Sequence, residues 1–578
     1  MFKFMDGRSA LYLPGEPQTT SVQDEFIFAG QIFNPGQDAD LAELMGRLAR
    51  DPSLLNDYEA DLSLIVPNQN RLVLIRDACG LTPLFYARHG DGWAAAFDLA
   101  SLFKVMGRRP AMDEATFFDF VGTHYRHIFR DPGRTFHSGV RQVPAGHYVV
   151  LDENGLRNDP KELRWHNLPF LQEAADLSPQ AASERYVELL AENVRLRLAA
   201  LKGQNCAFTV SSGLDSSTVA ALAARELREP VDCWFMAYKD QSGSPYDETA
   251  GVMALIEAVG WKLNRVDLTA PDLLAETEAL MRLTLAPVAT VTWLAHYVLA
   301  RRAFEAGHRR LFSGLGGDES LAGEFEHFFA FFADLKATSQ GELLDKETAA
   351  WARLHDHPVF KKSAQVRDDW LNRNVDFANM TLKVDRNRYL AHKEHFNPEW
   401  WEEMEKKAPP VPMPHPYPYF LSNRLYQEMT YETTPPTLWS EALSSQAAGV
   451  KGVFPMASPK LLALALSCPG TFKYENGLTK MLLRRGLTGL LPDCSRWNPV
   501  KTGFNAPLDL WLRQPKLADD ASALLSAKPF ADLHWLPKGG AQRIVDEHRS
   551  GRKNHMMLLW PLLSTALFLK VNSESASA

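Results

Sequence analysis

The sequence predicts an α/β protein of two domains. An α+β, sandwich-like domain spans residues 1–165, and a doubly wound parallel sheet with extra helices spans 181–570. Three observations lead there. A chain of 578 residues is too long for one core. Its first part strings short β-like runs between turn signals, as antiparallel sheets do. From residue 181 onward strand and helix patterns alternate, which argues for a parallel sheet.

Composition narrows the class further. Hydrophobic content of 46% and charged content of 23% are those of an ordinary globular protein. A net charge of −8 without a basic arm argues against a nucleic-acid partner. The five cysteines, Cys79, Cys206, Cys233, Cys468 and Cys494, form no Cys-x-x-Cys pair, so zinc is not expected and a reducing, cytoplasmic compartment is. The first residues lack the apolar core of a signal peptide. The longest apolar run, Met556 to Leu569, is too short to span a bilayer and contains Pro561. It reads as a buried C-terminal helix, with residues 571–578 as a frayed tail.

In the first domain, Phe26 to Phe33 reads as a strand and Asp40 to Leu48 as a helix. Leu62–Val66 and Arg71–Ile75 are strands parted by Pro67-Asn-Gln-Asn70, a hairpin signal. The run Arg76-Asp-Ala-Cys-Gly-Leu-Thr-Pro-Leu-Phe-Tyr86 follows, then Trp93 to Asp98. Residues 166–180 are turn-rich and read as a linker; Ala181 to Leu201 has helical apolar spacing.

The second domain opens on Ala207 to Val210, a short buried strand, followed by Ser211-Ser-Gly213 and a helical pattern from about Ser216. Strand, tight turn and helix N-terminus make an anion site, because unpaired backbone N–H groups and the helix dipole point into the turn. Ser211, Ser212, Ser216 and Ser217 add hydroxyl donors. Asp215 in such a cradle calls for a cation and reads as a Mg²⁺ ligand. A serine-rich turn in any α/β protein is the plainer alternative. Pro230–Ala237 and Leu263–Leu268 are further strands, with a helix opening at Tyr246-Asp-Glu-Thr249. Ligands bind such sheets at the carboxyl ends of the strands, where the serine-rich turn falls. Arg309–Phe312 leads into Ser313-Gly-Leu-Gly-Gly-Asp-Glu319, a second turn carrying an acid, Asp318. Alone that is just a turn; paired with the first it suits Mg²⁺ bridging a triphosphate between Asp215 and Asp318.

Residues 330–435 are helical and aromatic, with a proline run at 409–418 that reads as a rigid connector. His415, Tyr417 and Tyr419 are either surface-loop residues or the lining of a peptide groove. Lys480 and Arg484 lie four apart, either on a solvated basic helix face or near phosphates. In Pro499-Val-Lys-Thr-Gly-Phe504, Lys501 sits before a glycine where an ammonium can reach a phosphate.

The first turn resembles the pyrophosphate loop of the ATP pyrophosphatases, Ser-Gly-Gly-x-Asp-Ser, with Ser212 in place of the first Gly. Residues 76–86 resemble the Arg-Asp-x-x-Gly-x-x-Pro-Leu-Tyr-Tyr signature of class II glutamine amidotransferase domains. Such domains use an N-terminal Cys, but residue 2 is Phe2 and no Cys precedes Cys79. The family's Asn-Gly-Glu-x-Tyr-Asn segment appears as Ala29-Gly-Gln-Ile-Phe-Asn34, so the oxyanion-hole Asn is absent and the nucleophile-bearing lead-in reads as deleted. The domain is expected to keep the scaffold without glutaminase chemistry; Cys79 as nucleophile is the rival.

In order, these motifs resemble the asparagine synthetase superfamily. The resemblance implies an ATP-dependent, AMP-forming carbon–nitrogen ligase that adenylates a carboxylate, releases pyrophosphate and lets an amine attack. It implies Asp215 and Asp318 as Mg²⁺ ligands, and Lys501 as the stabiliser of developing charge. The ATP and pyrophosphate contacts it implies are Ser211, Ser212, Gly213, Leu214, Asp215, Ser216 and Ser217 from the first turn, Gly314, Gly316 and Gly317 from the second, and Lys480. Asparagine synthetase proper carries an acid where Leu315 stands, and β-lactam synthetase a Tyr; Leu315 cannot take a proton. Lasso-peptide cyclases remain. They join the N-terminal amine of a core peptide to an Asp or Glu side chain as a macrolactam, acting with a leader peptidase and a leader-binding protein. The alternatives are an asparagine synthase-like ligase using free ammonia, a β-lactam-synthetase-like cyclase, and a silent nucleotide-binding protein.

Overall fold

The computed structural model describes residues 2–5, 9–12, 26–34, 41–68, 71–123, 128, 131–355, 362–383, 392–407, 413–499 and 506–576. The N-terminal domain is a sandwich of two antiparallel five-stranded sheets. One runs Phe2–Met5, Ser9–Tyr12, Gly92–Ala96, Phe85–His89, Val140–Gln142; the other runs Glu162–Arg164, His147–Leu151, Arg71–Arg76, Ala60–Asn68, Ile27–Ile32. The strand at 71–76 is buried on both faces. Leu72 and Leu74 meet Tyr86 and Trp93 inside the sandwich. Val73 and Ile75 meet Leu44 and Leu48 of the helix Leu41–Arg50. Covering both faces explains why the strand reads as a continuous apolar run.

The Arg76-Asp77 signature here builds backbone. The Arg76 guanidinium donates to the carbonyl oxygens of Gly80 (2.7 Å), Val143 (2.8 Å) and Thr82 (3.1 Å). The Asp77 carboxylate accepts from the N–H groups of Leu81 and Thr82 (both 2.9 Å) and Cys79 (3.1 Å). Burial lowers Arg76 to about 10 and raises Asp77 to about 6.

The second domain carries a five-stranded parallel sheet in the order Lys262–Asp267, Asp232–Ala237, Cys206–Thr209, Arg310–Phe312, Lys451–Val453. Alternate residues of the second of these strands enter different cores. Trp234 and Met236 join the cluster around the C-terminal helix, whereas Cys233 and Phe235 join the one beneath the helix Leu214–Leu227. That is the doubly wound arrangement. The first turn leaves the central strand and the second turn its neighbour, so both lie at adjacent carboxyl ends.

Two domains and a tail were expected, and the tail differs. The last helix runs Met556–Ala576, so residues expected to fray from 571 continue it. Asn572 accepts from Arg109 (2.8 Å) and Glu574 pairs with Arg282 (2.5 Å), so its polar end has docking partners that composition does not reveal. The same helix is long and apolar enough to cross a membrane, but 67% of its apolar window is buried. Trp560 and Ser564 both donate to the Val288 carbonyl (3.0 and 2.9 Å). Linker residues 166–180 are fastened too: Leu168 accepts from the Tyr417 hydroxyl (2.8 Å), and Leu171 donates to Ser467 (2.8 Å). Tyr417 is therefore buried structure, neither a surface-loop residue nor a groove wall. His415 accepts from the Leu382 N–H (3.1 Å).

Replacing Arg76 by Met would strip donors from three buried carbonyls and leave Asp77 uncompensated. The expected cost is about 3–5 kcal/mol of stability, read by denaturant unfolding of the full chain.

Candidate active site

The first turn is held by its own serines. Gly213 donates to Ser211 Oγ (3.1 Å), the Ser211 N–H donates to Ser216 Oγ (3.2 Å), and the two hydroxyls lie 3.0 Å apart. The helix begins at Leu214, two residues earlier than its periodicity suggests, which puts Asp215 in its first turn. No side chain caps this N-terminus, so its N–H groups remain available to an anion. Leu214 points into the core and offers only its backbone. Ser217 differs from expectation: its buried hydroxyl donates to the Gly213 carbonyl (2.8 Å), so it braces the turn instead of facing the cradle.

Ser212 is accommodated by an element the sequence did not single out. A Cβ on Gly251 would lie 2.9 Å from the Ser212 Cβ, so glycine at 251 makes room for serine at 212. The Ser212 hydroxyl donates to Glu248 Oε1 (2.7 Å). Glu248 is buried, and burial raises its carboxyl to about 7 against the weaker, lowering effect of that hydrogen bond. In sequence Glu248 lies only in the opening of a helix; its contact with a turn thirty-six residues earlier needs the fold. Asp247, one residue before the N-cap position, accepts from the N–H groups of Gly243 (2.8 Å) and Thr249 (3.0 Å).

The second turn closes against the first. Gly316 takes φ +98°, open to glycine but costly for other residues. A Cβ on Gly314 would strike the backbone at Asp215–Ser216, and one on Gly317 would strike the Asp215 carboxylate. Gly323 stands in the same relation to Asp318 and Lys480. These glycines are small because the two turns touch.

Lys480 completes the site. Its ammonium lies 2.5 Å from Asp215 Oδ2 and 2.6 Å from Asp318 Oδ1, so two carboxylates about a hundred residues apart meet at one cation. Lys480 is buried and has φ +57°, a left-handed conformation costing a non-glycine residue about 1–3 kcal/mol. Arg484 is also buried and donates to the carbonyls of Thr479 (2.8 Å), Asn498 (3.0 Å) and Arg496, which excludes a solvated basic face. Lys501 lies outside the described residues.

These residues fit Mg²⁺. Among the described residues no three or more His, Cys, Asp or Glu side chains gather into a cage, but Mg²⁺ with a nucleotide commonly takes only one or two carboxylates, the phosphates and water supplying the rest. Asp215 and Asp318 would hold the ion, beside the uncapped N-terminus of the helix Leu214–Leu227.

Comparison with known proteins gives the family. Residues 185–570 match the asparagine synthase family, and residues 62–162 match the glutamine amidotransferase domain. The chain belongs to the asparagine synthase family. It is an ATP-dependent carbon–nitrogen ligase of that type, with an amidotransferase-like domain at its N-terminus. A Mycobacterium tuberculosis protein provisionally named a glutamine-hydrolysing asparagine synthetase is 23% identical over 509 residues, covering 85% of this chain and 73% of the relative. The Penicillium rubens amidase chyE is 25% identical over 303 residues, 49% of this chain and 42% of its own. Bacillus subtilis asparagine synthetase 3, also named glutamine-hydrolysing, is 21% identical over 221 residues, 36% and 34% of the two chains.

Gly251→Ala should cost this asparagine synthase family member about 1–3 kcal/mol by overpacking against Ser212. Ser212→Gly in the same chain should recover most of that loss in a double-mutant unfolding cycle. Glu248 makes a pH prediction. Its folded pKa of about 7 lies above the ordinary 4.5, so between those values the folded protein keeps a proton that the unfolded chain has released. Stability from this group is full below pH 4.5 and lost as pH rises through 7. Glu248→Gln should therefore gain on the wild type across that window, by on the order of 1–3 kcal/mol in parallel denaturant titrations.

Proposed function

We propose that this ligase activates a substrate carboxylate as an acyl-adenylate, with release of pyrophosphate, and closes the macrolactam ring of a lasso peptide by capture with the core peptide's N-terminal amine. The observation that carries the adenylation reading is the convergence of Asp215 and Asp318 on one cation position at the mouth of an uncapped helix. Bound there, Mg²⁺ would neutralise phosphate charge and help pyrophosphate leave. The helix N–H groups with Ser211, Gly213 and Ser216 would seat the pyrophosphate. Ser212 and Ser217 would act by holding the turn. Lys480, already between the carboxylates, would meet phosphate oxygens, and Lys501 would stabilise charge growing at the α-phosphate and the tetrahedral carbon.

The choice of an amine other than glutamine nitrogen is supported by the N-terminal domain. Ala29 occupies the place of the oxyanion-hole Asn, in the strand Ile27–Ile32. Cys79, the first cysteine of the sequence, packs against the cluster of Leu81, Leu438, Phe454 and Ala457, and burial holds its thiol well above the usual range. Leu315 packs against the same cluster, which favours neither an acid-dependent asparagine synthetase nor a Tyr-dependent β-lactam synthetase. A cyclase needs neither, because its amine and acid belong to one chain. A leader peptidase and a leader-binding protein would be its partners, in a reducing cytoplasm suited to five unpaired cysteines. A second reading is an asparagine synthase-like ligase fed by free ammonia: the names of the Mycobacterium and Bacillus relatives support asparagine synthesis, while the nitrogen source in those names is glutamine.

Incubated with Mg·ATP and a linear core peptide, the protein should yield a product lighter by one water. Ammonia incorporation into free aspartate instead would select the second reading. Asp215→Ala and Asp318→Ala should each lower substrate-dependent ATP–pyrophosphate exchange about 100-fold or more. Undiminished exchange in both would refute the site assignment, and glutamate release from glutamine would refute the account of Ala29.

A further inference from the structure

Lys480 stands between Asp215 and Asp318 on a left-handed backbone, so its neighbours in the chain must hold it there. The holding begins at the turn just before it. Glu475 and Leu478 exchange both of their backbone hydrogen bonds (3.1 and 2.9 Å), and the residues between them, Asn476 and Gly477, take φ +51° and +79°. That is the two-residue type I′ turn that an Asn-Gly pair favours. The N–H groups of the two central residues of such a turn have no acceptor within it. Here one carboxylate takes both. Glu347, on the helix Gly341–Leu354, accepts from the Asn476 N–H at Oε1 and from the Gly477 N–H at Oε2, each at 2.8 Å. Glu347 is 2% exposed, so these bonds are made out of water, where hydrogen bonds to a charged group are strong.

Other groups hold the same segment. His355, just past the end of that helix, donates from Nε2 to the Gly477 carbonyl (2.9 Å). A Cβ on Gly477 would lie 2.8 Å from the backbone carbon of Ala350, so the turn is pressed against the helix. Upstream, Tyr474 stacks on Phe331 with centroids 4.5 Å apart, and its hydroxyl donates to the Ala322 carbonyl (3.1 Å). Ala322 precedes Gly323, where a Cβ would strike Asp318 and Lys480. Only Leu478 and Thr479 separate the turn from Lys480. A displacement of the turn would therefore be passed to the ammonium.

We propose that Glu347, aided by His355, is a positioning residue of the nucleotide site: by fixing the Asn476-Gly477 turn it sets the Lys480 ammonium between Asp215 and Asp318. The effect on nucleotide binding rests on the ligase reading; the placement of the turn does not. Glutamine has nearly the shape of Glu347, but it offers one acceptor and turns an amide N–H₂ toward the second backbone N–H.

The test uses the full chain, with Mg·ATP as the probe. Isothermal titration calorimetry should give Glu347→Gln an affinity about tenfold or more below that of the wild type. Leu371→Val trims the same helical cluster but removes no hydrogen bond of the turn. It should lower the unfolding midpoint and keep its affinity within about twofold. His355→Leu should weaken binding, and His355→Gln, whose amide can donate where Nε2 did, should recover most of the loss. That pair carries the test should Glu347→Gln fail to fold. Hydrogen exchange of the segment 475–480, read by mass spectrometry, should rise in Glu347→Gln and not in Leu371→Val. Affinity unchanged by Glu347→Gln, an equal loss in Leu371→Val, or exchange at 475–480 unchanged by Glu347→Gln overturns the proposal. A wild-type protein that binds no Mg·ATP would instead sink the ligase reading, and the exchange result would still decide what holds the turn.

Discussion

One ammonium organises the second domain. Asp215 begins a helix off the central strand, Asp318 begins a short helix off its neighbour, and without a cation their carboxylates would repel at close range. Lys480 supplies that cation from a residue whose own backbone is forced left-handed to deliver it. Removing the ammonium would leave two carboxylates facing each other, one of them, Asp215, only 12% exposed. The three segments are therefore bound to move together or not at all. A nucleotide with its metal would enter a place where charge balance is already set.

Close approach is the second constraint, and glycine is how the chain meets it. Gly314, Gly317 and Gly323 each stand where a Cβ would strike Asp215, Ser216, Asp318 or Lys480. Gly251 does the same for Ser212. Ser212 is thus accommodated locally: glycine on the facing helix leaves room for it, and its hydroxyl has an acceptor in Glu248.

The N-terminal domain is held together by buried charge as well as by apolar packing. The Arg76-Asp77 pair is a scaffold of backbone hydrogen bonds. Across the interface Arg197 is buried against Glu59 and Asp61, with its guanidinium 4.4 Å from the Phe33 ring centre. A domain joined by buried charges cannot be removed without leaving them uncompensated.

The sequence by itself determined what depends on neighbours in the chain. Strand, small-residue turn and acid gave both anion-facing turns, because a helix N-terminus and a nearby carboxylate are local properties. The alternation of strands and helices gave the parallel sheet, and the turn at 67–70 gave the hairpin around it. Tertiary structure alone decided what depends on distant partners. Ser217 braces its turn because its hydroxyl can reach a carbonyl one helical turn back. Tyr417 is buried because the linker carbonyl of Leu168 comes to it. Residues 571–576 are helical because Arg109 and Arg282 meet them. Glu248 and Gly251 join the first turn only once the second strand has been laid beside the first, since no periodicity in a chain records which of its segments will lie across from which.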